Sequence, residues 1–135
     1  SHGDVLIYGL SPEQCTTFIP RKLSPQAAIA QAQQWGAACI AAHPTRQGLG
    51  YDEAIFELPL QGMEVQSCNL NTNEQRLAHT LAKQLDLPST ASSDAHRIED
   101  LGRYSTEFLI PVQTMDNLVS ALKQGRFRLP SLHTP

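Results

Sequence analysis

Residues 24–44 read SPQAAIAQAQQWGAACIAAHP, and the chemistry along this stretch decides the fold class. Ser24 supplies an N-cap, and Pro25 has the fixed φ that suits a first helical turn. Ala28, Ile29, Ala32 and Trp35 recur on one helical face and Gly36 supplies a stop, which predicts a helix of about three turns. Residues 37–42 follow at once as an apolar run containing Cys39 and Ile40. The run ends at His43-Pro44, where the proline disfavours helix in the residue before it. A helix feeding directly into a buried strand is half of an alternating α/β unit.

The alternation continues outward in both directions. Residues 4–10 (DVLIYGL) are apolar and partly β-branched, as a buried strand requires. Residues 51–58 suit a short helix before Pro59, and residues 62–66 another short strand. Leu77, Ala78, Leu81, Ala82 and Leu85 recur at one helical face behind capping residues 71–74. Residues 89–95 read as a small-residue strand or strand end, and residues 105–110 as the last strand. Thr114 caps a closing helix through Leu118, Val119 and Leu122, with Gly125 beyond its end. The tail at 126–135 is expected to be loosely ordered. This order predicts an α/β fold with a mostly parallel sheet, in which ligands gather at the carboxyl ends of strands.

The chain has 135 residues and suits a single domain over 1–135, with its core at about 4–125. Ten Lys and Arg against thirteen Asp and Glu leave a net charge of −3, with the basic residues scattered. That balance gives no electrostatic support for binding duplex nucleic acid. The apolar runs fall far short of the ~20 residues needed to span a membrane. No charged segment followed by an apolar one opens the sequence as a secretory leader would, so the expected location is cytoplasmic. Cys15, Cys39 and Cys68 are odd in number and lack metal-finger spacing, which suits reduced, partly buried thiols.

Three strand ends carry residues with chemistry: His43, Glu64 and the Asp94-Ala95-His96 group. If the chain stays extended, Asp94 and His96 point to one side and form an imidazole–carboxylate pair. With His43 they would make an N/O donor set suited to Zn, Mn or Fe. From spacing alone a second reading stays open, in which Asp94 caps a turn and His96 lies on the surface. His79 stands off the Leu77/Leu81/Leu85 line and is expected to face solvent.

Four segments together resemble the PHP (polymerase and histidinol phosphatase) family. They are Ala42-His43-Pro44-Thr45-Arg46, Gly62-Met63-Glu64-Val65, Ala91-Ser92-Ser93-Asp94-Ala95-His96, and Leu101-Gly102-Arg103. The resemblance covers about residues 4–110 and is to the later half of such a domain. It implies a metal-dependent phosphoesterase on a distorted seven-stranded β/α barrel, acting on a small phosphorylated substrate through metal-activated water. It also implies divalent metal ions (Mn, Zn or Fe) at the strand ends. His43, Asp94 and His96 look like family ligands, and Asp4 stands where many members have a histidine. Glu64 resembles a position beside the site, and Arg46 and Arg103 are candidates to face a phosphate. Ordinary solvated or ion-paired arginines are the alternative reading of the last two.

The family's opening His-x-His belongs upstream of Asp4, and the histidines here, His2, His43, His79, His96 and His133, include no such pair. The expectation is therefore a partial PHP-like domain with an incomplete metal site, inactive in isolation. The alternative is a non-catalytic PHP-like binding or scaffolding module. A partial sheet exposes an edge, which predicts self-association.

Overall fold

Four strands form one sheet in the order β1 (Asp4–Tyr8), β2 (Ala38–Ala42), β3 (Gly62–Gln66) and β4 (Ser89–Ala91). The computed structural model describes residues 3–18 and 23–131, so His2 and His133 lie outside it. Strands β2, β3 and β4 are parallel, as the helix–strand alternation predicts. Strand β1 departs from that pattern: it runs antiparallel to β2, with Asp4 opposite Ala42 and Tyr8 opposite Ala38. Among the described residues the sheet does not close, so the seven-stranded barrel implied by the resemblance is not seen. A separate two-stranded sheet pairs β5 (Glu107–Phe108) with β6 (Phe127–Arg128).

The helices follow their capping chemistry. In α2 (Pro25–Gln34) the Ser24 side chain accepts the Ala27 N–H, and Gly36 beyond its end has φ +82, a conformation glycine reaches without strain. In α3 (Thr72–Leu85) Asn71 and Glu74 form a reciprocal capping box. Thr114 caps α4 (Met115–Lys123) by accepting the Asn117 N–H. Helix α1 (Pro12–Phe18) is additional to the sequence reading, and Ser11 and Gln14 cap it with the same reciprocal bonds. The expected helix at 51–58 is a 3₁₀ turn over Glu53–Glu57.

The pleat divides the sheet into two faces. Cys39, Ala41, Met63 and Val65 point to one face and are closed over with Ile29 and Ala32 of α2 and Ala78 and Ala82 of α3. All but Ala82 of these are sealed from solvent, so burying Ile29 alone contributes about 1.5–3 kcal/mol. Ala38 and Ile40 point to the other face, where Leu122 of α4 and Phe127 of β6 complete a second cluster.

Four expectations about burial and order need correction. Leu77 is 51% exposed, because the buried line of α3 runs through Ala78 and Ala82. Residues 126–135 are not loose at their start: β6 pairs with β5, and Phe127 is buried against Ile40 and Leu122. Cys15 is exposed rather than partly buried, whereas Cys39 is buried and Cys68 half-buried. All three cysteines are free thiols. His79, expected to face solvent, is half-buried. Among the described residues no helix is long and apolar enough to cross a membrane.

Candidate functional site

Opposed strand directions assemble the candidate site. The parallel strands end at Ala42, Gln66 and Ala91, and antiparallel β1 begins at the same edge with Asp4. On the second sheet face this edge forms a pocket of about 310 Å³ whose lining includes Asp4, His43, Glu64, Ser92 and Asp94. Four of the sequence-selected residues therefore converge: Asp4, His43, Glu64 and Asp94.

His43 Nε2 lies 3.5 Å from Asp4 Oδ2. The His43 ring is buried, and its Nδ1 has no hydrogen-bond partner. Its backbone has φ +26, in the left-handed region that costs a residue with a side chain about 1–3 kcal/mol. Glu64, the residue expected beside the site, stands inside it, with only 2% of its surface exposed. One carboxylate oxygen accepts the His43 N–H at 3.1 Å, and the other accepts the Ser92 hydroxyl. Burial is the main cause that pushes the Glu64 carboxyl above the usual range, and the two hydrogen bonds oppose it. Burial also raises the Tyr8 phenol, with the Glu64 charge adding to the effect.

Asp94 and His96 do not share one side of an extended strand, because β4 stops at Ala91 and Asp94 turns with φ +46. The Asn69 amide holds that turn, donating to the Asp94 carbonyl at 2.8 Å and to Oδ2 at 2.7 Å. His96 is exposed, with Nδ1 at 2.8 Å from the Asp94 carbonyl, and it is not part of the pocket lining. Arg46 lines a separate surface pocket with Thr45, Gly48 and Tyr51. Arg103 is largely exposed and lies 3.8 Å from Asp100.

Loop 43–51 is fixed from two directions. The Glu74 carbonyl accepts the Thr45 hydroxyl, and the Glu74 carboxylate accepts the Gln47 N–H. The Tyr51 hydroxyl donates to the Asp4 carbonyl at 2.6 Å. Gly50 permits this path, since a Cβ there would collide with the Pro44 carbonyl oxygen. Tyr51, Asn69 and Ser92 carry no site role in the sequence reading, because their partners are distant in sequence and no spacing reports them.

Carboxylates, an imidazole and a hydroxyl around one pocket can ligate a divalent cation or orient a water. Among the described residues, however, no three His, Cys, Asp or Glu side chains stand close enough to hold an ion by themselves.

Residues 72–127 match the PHP-associated family (PHP_C). The matched segment runs from the start of α3 to Phe127 and contains Asp94, His96 and Arg103, while Asp4, His43 and Glu64 precede it. The fold resembles PsfC from Pseudomonas syringae PB-5123 at 21% identity and a TM-score of 0.68, over 86% of this chain and 50% of that one. It also resembles a candidate metal-dependent phosphoesterase from Bifidobacterium adolescentis at 24% identity and a TM-score of 0.55, over 76% of this chain and 37% of that one. An amidohydrolase from Chromobacterium violaceum, solved with bound sulfate and no metal, matches at 24% identity and a TM-score of 0.50, over 82% of this chain and 39% of that one. At these identities the likeness is one of fold, and the chain spans half or less of each structure. No curated protein sequence matches the chain.

Proposed function

We propose that the chain carries part of a divalent-metal-dependent phosphoesterase site, with Asp4, His43 and Asp94 as metal-holding residues in the pocket and His96, outside the pocket lining, as the further candidate. The observation that supports this most is the convergence of Asp4, His43, Glu64 and Asp94 on one pocket at the ends of four consecutive strands. The donor chemistry fits Mn, Zn or Fe, and a buried imidazole nitrogen without a hydrogen-bond partner suits a coordinating side chain. The number of converging donors does not make a closed cage.

A bound divalent ion would supply charge to orient a phosphate and would bring the pKa of a water toward neutrality. The chain's own residues bind and orient. Asp4 steadies the His43 ring and Asn69 holds Asp94, while Arg46 in its separate surface pocket and Arg103 beside Asp100 are the guanidinium candidates for a phosphate. The substrate class is a small phosphate ester or nucleotide. In isolation the chain is inactive, because its donor set is open. That openness also favours the second reading, a non-catalytic PHP-like binding or scaffolding module.

Hydrolysis of a small aryl phosphate with added Mn²⁺, alongside Mn²⁺ binding, tests the proposal. Saturable Mn²⁺ binding without robust turnover is the expected result. Robust metal-dependent turnover would overturn the expected inactivity, and absence of both would leave the module reading.

A further inference from the structure

We infer that Glu64 is a positioning residue that sets His43 and the segment leading to Asp94, a role that deepens the metal-site reading above and rests on it. The parallel β2–β3 ladder reaches Ala41, opposite Met63. The His43 N–H therefore lies beyond the last paired residues, in a buried place. The Glu64 side chain replaces the missing ladder there by accepting that N–H at 3.1 Å. Two residues earlier or later on β3 the carboxylate would sit elsewhere along the edge.

The bond acts on a residue in need of restraint. His43 adopts φ +26, from which its Nε2 reaches within 3.5 Å of Asp4. Without a partner for its amide, the turn would have both an unsatisfied buried donor and an unfavourable backbone conformation. The second Glu64 oxygen takes the Ser92 hydroxyl, just past the end of β4 and two residues before the left-handed Asp94. One carboxylate thus ties together the ends of β2 and β4, which carry the two unusual turns of the site. Each of its oxygens is engaged by a protein donor, and through these two bonds Glu64 acts on His43 and Ser92.

The test compares wild type with Glu64→Gln, Glu64→Asp and Glu64→Ala by amide hydrogen exchange and by Mn²⁺ calorimetry. The Met63 N–H, bonded to the Pro88 carbonyl, reports the intact sheet. Glu64→Ala and Glu64→Asp should speed His43 amide exchange about tenfold or more while Met63 stays protected. Glu64→Gln, whose amide oxygen still accepts, should keep both near wild type. If Glu64→Ala does not fold, Glu64→Asp provides the same comparison. Unchanged His43 protection in the folded short-chain variants would overturn the inference. Mn²⁺ affinity should follow the same order, and a Glu64→Gln variant as weak as His43→Ala would make Glu64 a ligand and also overturn it. If wild type takes up no Mn²⁺, the metal-site reading falls, and the exchange result alone upholds or overturns the positioning role.

Discussion

His43 Nε2 lies 3.5 Å from Asp4 Oδ2 because β1 runs against β2, which sets the first residue of one strand beside the last residue of the other. A parallel β1 would have placed Asp4 at the opposite end of the sheet. The Tyr51 hydroxyl adds a second restraint by donating to the Asp4 carbonyl at 2.6 Å. Tyr51→Phe removes that bond and keeps the ring, so it should lower stability by about 0.5–1.5 kcal/mol in urea denaturation. No loss would mean that the bond does not restrain Asp4.

Glu74 joins the start of α3 to loop 43–51. Its carboxylate accepts the Asn71 and Gln47 N–H groups, and these bonds hold its pKa below the usual value. A lowered native pKa contributes stability that is fully present above the unfolded carboxylate value of about 4.3 and is lost as pH falls through the native value. Glu74→Gln imitates the protonated form. Wild type should therefore melt higher than the variant at neutral pH, with the gap closing in acid. A gap independent of pH would contradict this assignment.

Ile29 and Leu77 provide a packing contrast. Ile29 is sealed between α2 and the sheet, whereas Leu77 is half exposed. Ile29→Ala should cost about 2–5 kcal/mol, and Leu77→Ala should stay within about 0.5 kcal/mol. Chemical denaturation of the two variants measures both, and equal losses would mean that α3 turns a different face to the core.

The cysteines should label in an order set by exposure. Cys15 is exposed, while Cys39 is buried and its thiol is pushed up to about 11 by burial. Thiolate is the reactive form, so a maleimide or disulfide reagent near neutral pH should modify Cys15 first. Cys39 should react only after denaturant is added. Rapid native labelling of Cys39 would contradict the packing of β2.

The sequence made the elements more legible than their directions. Capping residues Ser24, Asn71, Glu74 and Thr114 each stand at a real helix start, since these signals are local. The Ser11 and Gln14 cap of α1 is equally local. The direction of β1 was hidden because an apolar run reads the same whichever way it pairs. Strand β6 is two residues long, too short for any period to reveal. At the site, His43, Glu64 and Asp94 stood out by residue type and strand end. The left-handed turns at His43 and Asp94 depend on Glu64 and Asn69, partners that no sequence spacing announces.

Calorimetric titration of Mn²⁺ into the metal-stripped protein, with Asp4→Ala and His43→Ala beside wild type, tests the central claim most directly. The account predicts saturable binding to wild type and affinity lowered about tenfold or more in each variant, equivalent to about 1.4 kcal/mol, with unfolding midpoints little changed. Wild-type protein that gives no saturable heat, or variants that bind as tightly as wild type, would contradict it.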